Sequence, residues 1–348
     1  MRVKHIDVID NKIVQPPDAP QKLFAESVLP LLPPGLYQAA AALPGSVQAR
    51  IEEIRVREGR PLEVIYGGQY GFVGPDGSIG RETSGAHTVS REDCAQLLER
   101  LTRHSLYSFE EELKRGFITV EGGHRVGLAG RTVLEDGRVR MIRDVSGFNI
   151  RIAREVPGCG RAVLPSILDA AGRSVHHTLV ISPPGHGKTT MIRDLARLIS
   201  EGEWPVSGGY GGGRKVGIVD ERSEIAACVR GVPRFRLGPR TDVLDGCPKA
   251  EGMMMLIRSM SPEVLVVDEI GRPEDALAVH EAIHAGIRII ATAHGASRED
   301  VLSRPVLREL TASGVFRRLV ILQGRGASVR VESLTGARHS AEGGMAGC

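Results

Sequence analysis

The chain has 348 residues, an apolar share of 41% and a formal net charge of +3. That length allows two domains and a sizeable core. The charge is too small to argue for a nucleic-acid or membrane-surface binder, and no apolar run approaches the ~18 residues of a membrane span. Cys94, Cys159, Cys228, Cys247 and Cys348 are odd in number and form no C-x-x-C pair, which argues against a disulfide framework and against a zinc site. The amino terminus carries no signal-peptide apolar region, so the expected location is cytoplasmic, with any membrane association peripheral.

Residues 1–20 are polar and then Pro-rich, and read as a loosely ordered lead-in. An α+β N-terminal domain is expected over 21–158. It opens with short helices broken by Pro30, Pro33, Pro34 and Pro44. Apolar and charged residues alternate over Ile51–Arg57, predicting a half-buried strand, and Gly59-Arg60-Pro61 turns the chain into a second strand over Leu62–Tyr66. A helix is predicted from Ser90 to about Arg103, with Ser90 as N-cap, Asp93 three residues on, and Cys94, Leu97, Leu98 and Leu101 as its apolar stripe. A shorter helix over Phe109–Lys114 and strands near Phe117, Arg125–Ala129 and Asn149–Ile152 follow, with Glu135-Asp136-Gly137 as a hairpin turn. Val156–Gly160 reads as a linker.

Over 159–336 strands alternate with helices. Near-continuous apolar strands are predicted at Thr178–Ser182, Lys215–Asp220, Val264–Asp268, Arg288–Ala293 and Phe316–Gln323. Helices are predicted from Lys188, near Glu251–Met260, over Glu274–Ala285 and over Arg298–Ala312. This is the pattern of a mostly parallel sheet covered on both faces. The Gly208–Gly213 tract reads as a flexible surface loop and residues 337–348 as a disordered tail.

The chemistry centres on Ser182-Pro183-Pro184-Gly185-His186-Gly187-Lys188-Thr189-Thr190, set between an apolar strand and a helix. Strand, glycine-bearing loop, Lys-Thr and helix is the order of a phosphate-binding P-loop: backbone N–H groups and the positive end of the helix converge on polyphosphate. Lys188 would reach the β- and γ-phosphates of ATP, and the Thr189 hydroxyl would ligate Mg²⁺. The first glycine of the usual pattern is replaced by Ser182, which is small enough for an intact loop.

Val264-Leu265-Val266-Val267-Asp268-Glu269 is an apolar strand ending in two acids. Asp268 is assigned to the Mg²⁺ shell and Glu269 to the attacking water. Asp220–Glu224 ends another strand, and Glu221 is the first choice there for sharing the metal or the water, with helix capping as the alternative. Thr292-Ala293-His294-Gly295 ends a third strand, where His294 could sense the γ-phosphate or serve the structure alone. Arg222, Arg230, Arg240 and Arg258 are candidates for an arginine that stabilises the transferring phosphoryl group, and Met253, Met254, Met255 and Met260 read as core packing.

The four boxes occur in the order of the type II/IV secretion ATPases, which the chain resembles; Arg258–Glu263 also looks like that family's approach to the acidic strand. A more specific resemblance, to the stage III sporulation protein AA family, spans roughly 50–335. It rests on Glu53-Ile54-Arg55-Val56-Arg57, Gly122–Gly130, Asn149–Glu155 and Val219–Ile225. The fold then implied is α/β: a RecA-like P-loop ATPase core behind the smaller α+β domain. The resemblance further implies a mother-cell ATPase acting at the forespore membrane on the proteins of a membrane channel complex. It also implies a homo-oligomeric ring, a hexamer, with ATP at subunit interfaces and Arg258 as a catalytic arginine. A nucleic-acid-dependent P-loop ATPase, a small-molecule kinase and a slowly hydrolysing scaffold are the alternatives. Glu269 beside Asp268 favours water activation over a kinase, and the near-neutral charge gives no strong nucleic-acid signal.

Overall fold

A computed structural model describes residues 24–102, 113–114, 116–120, 122–153, 155–169, 174–203, 205–206, 209–210, 212–324 and 328–334. The expected lead-in, the tail and most of the Phe109–Lys114 helix lie outside these residues, as do Gly208 and Gly211 of the glycine tract. The chain divides into two compact units. Among the described residues, one comprises those of 24–156 with Ala226–Phe235; the other comprises those of 157–225 and 236–334.

In the first unit seven strands form an antiparallel sheet in the order β4-β3-β2-β1-β7-β6-β5. They are β1 (Ile51–Arg57), β2 (Glu63–Tyr66), β3 (Gln69–Val73), β4 (Ile79–Gly80), β5 (Phe117–Thr119), β6 (Arg125–Glu135) and β7 (Arg138–Arg151). Ile54 and Val56 share a face of β1 by the two-residue period. Ile51 lies an odd step away, yet is equally buried, because the β1–β2 register shifts between Ile51 and Glu53. Phe148 and Ile150 of β7 join this core, with Phe24, Val28, Leu32 and Leu36 from the opening turns and helix. The helix Arg91–Thr102 lays Cys94, Leu97 and Leu101 on it. It begins with a reciprocal cap: Ser90 Oγ accepts from Asp93 N at 3.0 Å and Asp93 Oδ2 accepts from Ser90 N at 2.9 Å. The expected strand at Arg125–Ala129 proves much longer, pairing with β7 through to Glu135↔Arg138.

In the second unit the sheet runs β12-β11-β13-β14-β8-β15-β16. Its strands are β8 (Thr178–Ser182), β11 (Val216–Asp220), β12 (Thr241–Asp245), β13 (Val264–Val267), β14 (Arg288–His294), β15 (Arg318–Gln323) and β16 (Ser328–Ser333), while β9 (Pro205–Val206) and β10 (Gly209–Tyr210) form a separate ladder, so the glycine tract expected to be a loop contains a short strand. Every pair in the larger sheet is parallel except β15–β16. β8, β11 and β13 are buried along their whole length, as strands covered on both faces must be. The helix predicted over Arg298–Ala312 is two, Arg298–Ser303 and Pro305–Ala312. Pro305 cannot donate to an unbroken helix and fits the first turn of a new one.

The boundary between the units falls within Val156–Gly160, between Val156 and Pro157, and the Cys159–Gly160 end of the segment is tied down. Gly160 N donates to Asp194 Oδ2 at 2.7 Å, and Cys159 Sγ donates to Thr190 O at 3.6 Å. Asp194 is buried with Arg197 as an ion pair at 2.9 Å on the helix Lys188–Glu201, so the segment is docked on the helix that follows the phosphate loop.

Each unit buries an uncharged histidine. His124 Nδ1 accepts from Ala153 N at 3.1 Å, its other ring nitrogen lies 2.6 Å from Ser27 Oγ, and desolvation pushes its pKa down to about 4. In the second unit His177 is likewise pushed down to about 4, first by desolvation and then by Arg288. An unfolded imidazole titrates near 6.5, so the stability carried by neutral His124 is complete above about pH 6.5 and is lost as pH falls toward 4. Its loss should reach roughly 2 kcal/mol by pH 5. Thermal unfolding of the wild-type chain and of His124→Gln, which keeps a donor and an acceptor, should show a smaller drop in Tm from pH 7 to pH 5 in the variant.

Candidate functional site

The carboxyl ends of β8, β11, β13 and β14 gather the charged side chains, where ligands of open α/β sheets bind. β8 ends at Ser182, in register with His294 of β14. Beyond it the loop turns at Gly185 and Gly187, whose φ values of 73° and 90° suit glycine. Gly187 is the N-cap of the helix Lys188–Glu201. Neither glycine would bring an added Cβ within 4 Å of any atom, so the loop is an open cradle with the helix N-terminus at its base. Ser182 needs no such freedom. It is the last residue of a strand, fully buried, its Oγ donating to Pro183 O at 2.8 Å. Pro184 is exposed while Pro183, His186, Thr189 and Thr190 are half-buried around the cradle.

Lys188 is almost wholly buried, and its Nζ donates to Ser182 O at 3.0 Å, Pro183 O at 3.3 Å and His294 Nδ1 at 3.0 Å. Burial lowers its pKa, while Asp268 and Glu269 pull it back up. An ammonium donating to Nδ1 fixes the imidazole proton on Nε2, which donates to Glu269 Oε1 at 2.8 Å. The second oxygen of Glu269 pairs with Arg222 Nη1 at 2.8 Å. Arg222 is 53% exposed, so this outer pair contributes only ~0–1 kcal/mol and can exchange readily. Lys188, His294, Glu269 and Arg222 are thus joined in one chain of donors and acceptors.

Asp268 is held by two threonine hydroxyls. Thr189 Oγ1 donates to its Oδ2 at 2.8 Å and Thr292 Oγ1 donates to its Oδ1. Thr292 also accepts from Glu269 N at 2.8 Å, so one buried hydroxyl orients both acids. Glu269 itself has φ 53°, a left-handed conformation that costs a non-glycine residue about 1 kcal/mol or more and is held by its surroundings. The Thr189 hydroxyl and Asp268 carboxylate are hard oxygen donors of the kind Mg²⁺ takes alongside phosphate oxygens. With the open cradle and buried Lys188, the residues present fit an Mg²⁺-bound polyphosphate.

The Asp220–Glu224 box divides in two. Asp220 is buried and structural, its carboxylate accepting from Glu224 N at 2.8 Å and Ile225 N at 2.9 Å. Glu221 lines one cleft with Arg222, Asp268 and Glu269, and pairs at 2.5 Å with the buried Lys249. Arg193, on the helix after the cradle, donates to Ile225 O at 2.6 Å and ties this box to the phosphate loop's helix.

Arg258 is not brought to this edge. Its helix, Lys249–Ser259, starts beside Glu221 and runs back at ~1.5 Å per residue, leaving Arg258 exposed in the last turn, near the start of β13. Arg230 belongs to the N-terminal unit, and Arg240 Nη1 is taken by Gly213 O. Within one chain, Arg222 is the candidate arginine that reaches the acids. Thr292 and Lys249 were not singled out in the sequence. For Thr292 the signal exists: it stands two residues before His294 on a strand, and so on the same face. For Lys249 none exists, because its partner comes from a distant strand end.

Comparison with known proteins agrees with this architecture. The family model described as "Sporulation stage III, protein AA" matches residues 44–341. The chain is 47% identical to Stage III sporulation protein AA of Bacillus subtilis (strain 168) over 295 residues, covering 84% of this chain and 89% of that protein. Among solved structures it is similar to the ATPase DotB of Yersinia pseudotuberculosis, with TM-score 0.52, 13% identity and coverage of 82% of this chain and 76% of that one. It is also similar to the pilus retraction motor PilT with bound ADP, with TM-score 0.51, 15% identity and coverage of 78% and 74%. At such identities these two likenesses establish the fold, that of the RecA-like secretion ATPases with a β-rich N-terminal unit. The chain belongs to the sporulation stage III protein AA family.

Proposed function

We propose that this chain hydrolyses ATP with Mg²⁺ as one subunit of a homo-oligomeric ring, a hexamer. The ring would power or assemble a channel complex between mother cell and forespore, working in the mother-cell cytoplasm and peripherally at the forespore membrane. The observation that carries the hydrolytic reading is the hydrogen-bond chain from Lys188 through His294 to Glu269 at the mouth of the phosphate cradle. No helix among the described residues is long and apolar enough to cross a membrane.

In this reading the cradle N–H groups and Lys188 bind the β- and γ-phosphates. Lys188 would exchange its loop carbonyls and His294 Nδ1 for phosphate oxygens, which are stronger acceptors. Thr189 and Asp268 would hold the Mg²⁺, which when bound offsets charge on the phosphates. Glu269 would then orient the attacking water and accept hydrogen bonds from it. His294 touches both Lys188 and Glu269, so displacement of one is felt by the other, and it serves as the γ-phosphate sensor. Glu221, held by Lys249, lines the same cleft as the two acids and would share the metal or the water with them.

Three substitutions test this. Lys188→Ala should lower Mg²⁺-dependent phosphate release by roughly 10²–10³-fold; turnover at the wild-type rate would sink the reading. Glu269→Gln should retain ATP binding by equilibrium titration, lose turnover, and shift the chain to a larger species by mass measurement with ATP. Thr292→Val keeps volume but strips a donor from Asp268 and an acceptor from Glu269 N. It should cost about 1–3 kcal/mol in denaturant unfolding and reduce turnover about tenfold or more, whereas unchanged kinetics would remove Thr292 from the site.

A further inference from the structure

The opposite edge of the same sheet holds a second concavity. It is a cleft of about 630 Å³ at the amino ends of the strands, among Ser174, Arg214, Ser261, Glu263, Ile287 and Arg288. That volume is in the range of small-molecule sites, and an apolar wall with a few convergent polar groups is their usual lining. Ser261 has φ 46°, a left-handed conformation uncommon for serine, at the turn that forms one wall.

The charged lining of the cleft is Arg214 and Glu263, paired with each other, and Arg288, the cation left over. Arg288 and Arg317 both bear on His176 and His177, and Arg318 bears on His176, with Asp169 as the acid opposing them there. Glu263 lies in the cleft, but is committed: its Oε1 accepts from Arg214 Nη1 at 2.9 Å and its Oε2 accepts from Lys215 N at 3.0 Å.

One contact in this group is mismatched. His177 Nδ1 accepts from Ile289 N at 3.2 Å, so the ring proton of the neutral imidazole resides on Nε2. That Nε2–H faces Arg288 Nη1 at 3.4 Å, which is itself a donor and never an acceptor. Two donors turned on each other beside a cleft are satisfied together by one oxyanion accepting from both, and a guanidinium is well matched to phosphate oxygens.

We propose that this amino-edge cleft is a second binding site, separate from the phosphate cradle, for a small phosphorylated molecule. Arg288, which lines the cleft, holds a phosphoryl oxygen, with Nε2–H of the buried His177 behind it as second donor, and the wall of Ile287 and its apolar neighbours carries the organic part. The site does not depend on the ATPase reading, because none of its residues belongs to the cradle.

Hydrogen–deuterium exchange of the full chain with inorganic pyrophosphate tests it. Protection is expected over residues 257–263 and 285–289, and it should persist in Lys188→Ala, where protection of 183–191 is weakened. Arg288→Gln should raise the pyrophosphate concentration for half-protection at 285–289 by about tenfold or more, while leaving protection of 183–191 intact as the control for folding. Parallel arms with ATP and with a hexose phosphate identify the organic part by which of them protects at lower concentration than pyrophosphate. Absence of protection at the amino edge, protection unmoved by Arg288→Gln, or protection by an oligoglutamate peptide and not by pyrophosphate would each overturn the proposal.

Discussion

The site depends on the placement of one imidazole. His294 ends β14 in register with Ser182, the last residue of the strand that feeds the cradle. That pairing sets its ring between Lys188 and Glu269. The ammonium decides the tautomer, and the tautomer decides that Glu269 receives a proton donor rather than another acceptor. A single strand register therefore fixes the polarity of a chain of groups drawn from three strands and one loop. A slip by one residue would turn His294 and Thr292 to the other face together.

The other constraint is desolvation. Lys188, Asp220, Lys249 and Thr292 are buried polar groups at the rim of an apolar sheet, and each is satisfied by partners fixed in the backbone or by an opposite charge. Leaving any of them unpaired would cost about 1–3 kcal/mol, more for the charged ones. The rim is accordingly firmer where it binds and looser where it exchanges: the Arg222–Glu269 pair is half open to solvent, while Asp268, itself facing the cleft, is held from behind by the buried Thr292.

Much of the second unit was legible because parallel strands buried on both faces leave unbroken apolar runs. β8, β11, β13, β14 and β15 all carry that signature. β12 and β16 do not. Thr241–Asp245 is polar at both ends and only half-buried at the sheet edge, and Ser328–Ser333 alternates as an edge strand does. The cradle and the acids at β13 were legible because their chemistry is local in sequence. What joins them was not, since Thr292 to Asp268, Lys249 to Glu221 and Arg222 to Glu269 are made by tertiary approach. Arg258 shows the converse: a residue close to the acidic strand in sequence is carried to the far edge by the antiparallel run of its helix. The departure at Ser182 loses its weight for a similar reason, because the positions that need a left-handed backbone are Gly185 and Gly187.

The segment Ala226–Phe235 is grouped with the N-terminal unit although it lies in the middle of the other unit's sequence. It fits closely there: a Cβ on Gly123 would stand 2.0 Å from that of Ala227. During synthesis at ~5–20 residues per second, the N-terminal unit must therefore wait several seconds after its own strands have emerged before its last piece exists. Its edge against this segment stays uncovered while the phosphate loop is being made. The two units are interleaved in time as well as in sequence, and a cut at Val156 would release neither as a finished piece.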